Sequence, residues 1–141
     1  RLDGPLSLVA LQAGVEGLVS RHEVLRSTYT YRDGEPRQQV HAADAFVVDV
    51  QDWSDRDPEA QEEALAAFAH AAVLHPFDLQ RELPLRVTLL RLGPQAHALV
   101  LCLHHIAGDG WSVDVLWREI EQGYAAAMSG QAAPAAPAVQ Y

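Results

Sequence analysis

The stretch from Leu83 to His105, LPLRVTLLRLGPQAHALVLCLHH, does most to limit what this chain can fold into. Two runs of aliphatic and β-branched residues flank Gly93-Pro94, a dipeptide that favours a turn. The stretch therefore reads as two strands, the second from Ala98 to His104. The sequence then leaves the sheet through His104-His105, a glycine-flanked aspartate and Trp111, and restarts as an amphipathic helix. A core strand has no need of two imidazoles at its tip, and an ordinary turn has no need of Gly108-Asp109-Gly110.

The rest of the chain supplies what such a hairpin packs against. Leu8, Leu11, Val15, Leu18 and Val19 recur at helical spacing, which predicts a helix from Ser7, as N-cap, to His22. Gly14 and Gly17 weaken that helix slightly. Arg26 to Arg32 alternates in β-rich residues, Asp33-Gly34 marks a hairpin, and residues 37–41 pair back. AFVVDVQDWS, residues 45–54, reads as a further short strand. Asp57 caps a second helix with Pro58 in its first turn, ending at Leu74 before Pro76. Ser112 is expected to cap a third helix that ends near Gly130. Residues 131–141 read as an extended, mobile Ala/Pro connector. Helices alternating with hairpins indicate an α+β layered sheet fold.

At 141 residues and 49% hydrophobic content, the chain is long enough to bury one core without a disulfide or metal staple. The net charge is −9 and all ten basic residues are arginine, with no basic cluster, which argues against nucleic acid or an anionic membrane as partner. The one cysteine, Cys102, permits no internal disulfide, and a cytoplasmic setting fits. No apolar run approaches the roughly 18 residues that span a bilayer. The opening RLDGPL lacks an initiator methionine and reads as part of a longer chain.

The loop after the second strand is where chemistry concentrates. Successive strand residues face opposite sides, so one of His104 and His105 is expected to face a cavity while the other packs or hydrogen-bonds beneath it. An imidazole there can move a proton or stabilise a developing ammonium. Asp109 is either a second functional group or an anchor of the loop through an arginine, with Arg21 and Arg26 as the nearest candidates. A metal site is a rival, since His-His-x-x-x-Asp offers three ligands, but adjacent histidines on opposite faces chelate poorly. Cys102 and His104 could form a nucleophile–base pair. Cys102 lies between Leu101 and Leu103, however, and no asparagine is present to orient the base, so an inert buried thiol is the better reading. Trp111 is read first as a packing residue, and the acidic start of the second helix as a solvated turn.

HHIAGDGWS resembles the HHxxxDG motif of nonribosomal peptide synthetase condensation domains, and RHEVLRSTY resembles the upstream RHExLRTxF motif, with Ser27 and Tyr29 as departures. FDLQRELPLRVTLLRL between them, and the terminal VQY, also look like sequence of that family. The resemblance covers essentially the whole chain. It implies a chloramphenicol-acetyltransferase-like fold of two lobes facing each other across a tunnel. Residues 1–130 would be the N-terminal lobe without its first strand, and residues 131–141 a connector toward a C-terminal lobe. The sister heterocyclisation domains replace both histidines by aspartate, and epimerisation domains carry another residue after the DG pair. Within the condensation domains, the wording of the motifs looks more like the class that accepts a D-configured donor.

The implied reaction is amide formation between two thioesters carried on donor and acceptor carrier proteins. His105 is the implied catalytic residue, as a base or as a positioner of the amine. His104 packs below it, Asp109 pairs with Arg26, and Gly110 leaves room for a phosphopantetheine arm. Gly108 and Trp111 are candidates for the channel wall. No metal or redox cofactor is implied; the phosphopantetheine belongs to the carrier proteins. Two other readings keep the fold: a non-catalytic module that docks carrier proteins or tailoring enzymes, and a freestanding acyltransferase using an alcohol or small amine.

Overall fold

The hairpin predicted from Leu83 onward is the centre of the structure. In the computed structural model, residues 1–108 and 110–131 are described, and the side chains of residues 45, 111 and 112 lie outside that description. The elements are β1 (Leu2–Asp3), α1 (Leu8–Arg21), β2 (Ser27–Arg32), β3 (Glu35–Val40), β4 (Asp49–Asp52), α2 (Pro58–Leu74), β5 (Leu85–Gly93), β6 (Ala96–Leu103) and α3 (Gly110–Ser129). β5 and β6 pair antiparallel from Leu85↔Leu103 to Gly93↔Ala96, with a register shift between Arg91 and Gly93. The sheet is mixed, in the order β1-β6-β5-β4: β1 lies antiparallel to β6, and β4 lies parallel to β5 after the crossover through α2.

Strand alternation divides the apolar residues between two cores. Leu85, Val87 and Leu89 of β5 pack with Leu11, Val15, Leu18 and Val19 of α1 and with Leu116 and Ile120 of α3; Leu99, Leu101 and Leu103 of β6 join that cluster. On the opposite face Leu90, Leu92 and Ala98 pack with Trp53, against Leu65 and Phe68 of α2. Trp53 meets Phe68 edge to face at 5.7 Å. α2 itself buries no residue fully and is fastened partly by Gln61, whose Nε2 donates to the carbonyls of Leu92 (2.7 Å) and Trp53 (3.0 Å).

The caps at Ser7 and Asp57 and the end of α3 at Gly130 follow the sequence reading. Ser7 Oγ accepts from the Ala10 N–H at 3.2 Å and Asp57 Oδ1 from the Ala60 N–H at 2.9 Å. At the end of α3, Gly130 has φ +69°, the Gln131 N–H donates to the Ala126 carbonyl and the Gly130 N–H to that of Ala127, a Schellman cap. Asp33 and Gly34, both at positive φ, turn β2 into β3 as a separate two-stranded sheet.

Several boundaries differ from the sequence reading, among them the returning hairpin strand, which is Glu35–Val40 rather than residues 37–41, and β1, which was not expected. A 3-10 turn, Glu23–Arg26, stands between α1 and β2, closed by Ser27 Oγ donating to the Glu23 carbonyl at 2.7 Å. The predicted strand over residues 45–54 is only Asp49–Asp52, because Gln12 of α1 takes the place of a strand partner just before it. Gln12 Nε2 donates to the Phe46 carbonyl and its Oε1 accepts from the Val48 N–H, at 2.8 and 2.9 Å. α3 begins at Gly110, so Ser112 lies inside the helix and is not its N-cap. β6 starts at Ala96 and stops at Leu103, so His104 is off the strand. The Ala/Pro connector falls almost entirely on residues 132–141, outside the described residues.

α1 and α3 cross at Gly14 and Gly123. A Cβ built on Gly123 would come within 2.8 Å of the Gly14 Cα, a backbone atom that cannot swing aside. The same Gly14 that costs helix propensity is therefore what lets α3 approach α1. Gly123→Ala should lower the stability of the protein by about 1–3 kcal/mol through overpacking; a denaturant midpoint equal to that of the wild type would contradict the close crossing.

Candidate functional site

The site grows from the end of the β5–β6 ladder. Past Leu103, the His104 N–H still donates to the Pro84 carbonyl at 2.9 Å, so the sheet holds the chain one residue beyond the strand. A tight turn follows: the Ala107 N–H donates to the His104 carbonyl at 2.9 Å, and His104 Nδ1 accepts from the Ile106 N–H at 3.0 Å. His104 is half-buried, His105 is exposed, and Ala107 and Gly108 are buried where the chain enters α3. Strand pleating is the separation of the two histidines that the sequence predicts. The structure separates them by a turn, because the strand has already ended.

The bond from Ile106 fixes the tautomer of His104: a neutral ring that accepts at Nδ1 carries its proton on Nε2. The ring also meets Phe77 edge to face, with centroids 5.6 Å apart. Phe77 in turn lies under the guanidinium of Arg86, 3.9 Å from the ring centre. Neither residue stood out as part of the site in the sequence. The available signal was the FDLQRELPLR wording, which places Phe77 and Arg86 nine residues apart on either side of a bend.

Arg21 and Arg26 are the candidate anchors for the loop. Arg26 donates from Nη1 to the His41 carbonyl at 2.6 Å and reaches Glu23 at 3.5 Å, while its buried Nε has no hydrogen-bond partner among the described residues. Arg21, 5% exposed, grips Glu119 of α3, donating from Nε and Nη2 to Oε2 at 3.1 and 2.8 Å. His22 Nε2 lies 2.9 Å from the same oxygen. RHEVLR is thereby tied to the helix that leaves the histidine turn. Asp109 and the side chain of Trp111 lie outside the described residues; Gly110 is the first residue of α3.

Cys102 sits on the α2 side of the sheet, lining a groove of about 480 Å³ with His75, Arg86, Thr88 and Val100. Cys102 is half-buried rather than buried as expected; its partial burial still pushes the thiol up, and the Arg86 charge only partly opposes this, which suits an inert thiol. Among the described residues no group of three or more His, Cys, Asp or Glu side chains is arranged to hold a metal ion, and no helix is long and apolar enough to cross a membrane.

The comparisons with known proteins agree on this architecture. The family model for the condensation domain matches residues 1–141, and the chain belongs to that family. It is 42% identical over 131 residues to the nonribosomal peptide synthetase dtxS1 of Metarhizium robertsii, covering 93% of this chain and 2% of that protein. Among solved structures, the complex of the X-domain and OxyB from teicoplanin biosynthesis matches at TM-score 0.84 and 34% identity, covering 99% of this chain and 29% of that one. The first condensation domain of the calcium-dependent antibiotic synthetase, in complex with a substrate analogue, matches at TM-score 0.78 and 26% identity, covering 96% and 33%. The α+β fold is accordingly the chloramphenicol-acetyltransferase-like fold of condensation domains.

The Glu119 clamp carries a pH signature. Burial raises the Glu119 carboxyl, but its bonds to Arg21 and His22 outweigh this and leave it below its ordinary value of 4.5. A carboxyl depressed by folding adds stability that is complete above the unfolded value and is lost as pH falls through the folded one. The wild type should therefore lose stability as pH drops below about 4.5, and Glu119→Gln should be less stable at neutral pH with a flatter acid limb. Parallel acid limbs in pH-dependent denaturant melts would remove Glu119 from that role.

Proposed function

We propose that this chain is part of a domain that forms amide bonds between two carrier-protein thioesters, with His105 as its catalytic residue. Residues 1–130 act as the N-terminal lobe, and residues 131–141 lead toward a C-terminal lobe that supplies the other wall of the tunnel. The observation that carries the reading is His105 exposed on a turn braced by His104, in a chain of the condensation family. The order of the two motifs and the braced turn between β6 and α3 support it.

The amine of the acceptor aminoacyl thioester attacks the donor thioester carbonyl. A C–N bond forms, the C–S bond breaks, and the donor's pantetheine sulfur leaves as thiolate. A free α-amine has a pKa of about 7.7–8.0, so some of it is neutral at pH 7 without a base. The demanding proton is the one that the attacking nitrogen carries in the tetrahedral intermediate. His105 either accepts that proton or holds the amine in line for attack. Gly110, the first residue of α3, has no side chain, which suits close approach of the phosphopantetheine arm of a donor or acceptor carrier protein. Asp109 pairs with Arg26, whose buried Nε has no partner among the described residues, and Trp111 lines the channel. The domain takes a D-configured donor, in keeping with its motif wording, and acts in the cytoplasm.

The likeness to the X-domain bound to OxyB favours a second reading, a docking module for carrier proteins or a tailoring enzyme. The full two-lobe protein separates the readings, with donor and acceptor substrates loaded on their carrier proteins and transfer followed by intact-protein mass spectrometry. His105→Ala should lower transfer by about a hundredfold or more while the melting temperature holds. Unchanged transfer would remove His105 from the chemistry; no transfer in the wild type would put the docking reading first.

A further inference from the structure

The transfer chemistry above uses neither Phe77 nor Arg86, yet they form the support against which His104 rests. Arg86 leaves β5 and holds residues 75–86 in one bend. Its Nη1 donates to the His75 carbonyl at 3.1 Å, and its Nη2 to the Pro76 carbonyl at 2.8 Å. Its Nε and Nη2 also fork onto Glu82, at 3.1 and 2.8 Å, and Glu82 is fixed in turn by the Asp78 N–H at 2.6 Å. The face of the same guanidinium covers Phe77. Only a planar, five-donor side chain can stack and fork in this way; a lysine would supply a point charge and no plane.

This bend delivers one contact to the histidine turn, the edge-to-face pair of Phe77 and His104. His104 closes the turn by accepting the Ile106 N–H at Nδ1, a bond that depends on the rotation of its ring. His105 stands between the two ends of that bond. If the Phe77 ring is lost, the His104 ring is free to turn and the span carrying His105 loses its brace.

We infer that Phe77, clamped by Arg86, is a positioning residue for the amide-forming reaction: it fixes the ring of His104 and, through it, the placement of His105. This rests on the function proposed above. It predicts an effect on the chemical step rather than on carrier binding, since displacing a catalytic group by about 1 Å can cost up to a hundredfold in rate.

The test uses the full two-lobe protein carrying Phe77→Leu, Phe77→Tyr or Arg86→Lys, with transfer kinetics on loaded carrier proteins and NMR of 15N-labelled histidine. Phe77→Leu and Arg86→Lys should each lower kcat by about tenfold or more, with KM for the acceptor carrier protein within about twofold. Phe77→Tyr, which keeps the ring, should restore most of the rate. In the two slow variants the His104 resonances should lose the pattern of an Nδ1 acceptor with a protonated Nε2. Wild-type kcat in Phe77→Leu, or a lost rate with His104 resonances unchanged, would overturn the proposal. Should Phe77→Leu fail to fold, Arg86→Lys gives the same readouts. If the wild type does not transfer at all, the proposed function fails, while the NMR comparison still decides whether Phe77 and Arg86 fix His104.

Discussion

Everything in this structure hangs on the antiparallel pairing of β5 with β6. It joins Leu85 to Leu103 at one end and Gly93 to Ala96 at the other, and it sets the phase of both strands. Because side chains alternate, that one register sends Leu85, Val87 and Leu89 to the helix pair α1–α3, and Leu90 and Leu92 to Trp53 and α2. A slip by one residue would exchange the two cores, whose partners differ too much in size and shape to be exchanged. The same register carries His104 to the Pro84 carbonyl, so the histidine turn is built on the most constrained pair of strands in the fold.

Two supports converge on that turn from distant parts of the sequence. One comes from the end of α1, where Arg21 and His22 share the Glu119 carboxylate of α3. The other comes from the bend before β5, where Arg86 holds Phe77 against His104. The first fixes the helix that leaves the turn, and the second fixes the residue that enters it. The close passage of Gly14 and Gly123 sets how near α1 and α3 can lie, and so whether Arg21 can reach Glu119 at all.

Both supports sit within the motif sequence itself, which explains how the wording of a short stretch can be legible while its purpose is not. RHEVLR was readable as a possible anchor for the loop, but which arginine grips which element depends on how α1 is rotated toward α3. FDLQRELPLR was readable as family sequence, yet nothing in it says that Arg86 folds back over Phe77. That contact requires the bend through residues 75–84, where backbone carbonyls, a carboxylate and a ring face meet one guanidinium.

The sequence by itself determined the elements and their punctuation: the hairpin around Gly93-Pro94, the helices capped by Ser7 and Asp57, and the Asp33-Gly34 turn. These are local choices, set by side-chain period, by cap oxygens and by backbone angles that few residues adopt. Tertiary structure alone decided that β6 stops at Leu103, that β4 shrinks to four residues beside Gln12, and that α3 starts at Gly110 rather than after Ser112. It also decided that Phe77 braces His104. In each case the deciding partner lies far along the chain, and a hydrogen bond or ring contact across that distance leaves no periodic trace in the residues that make it.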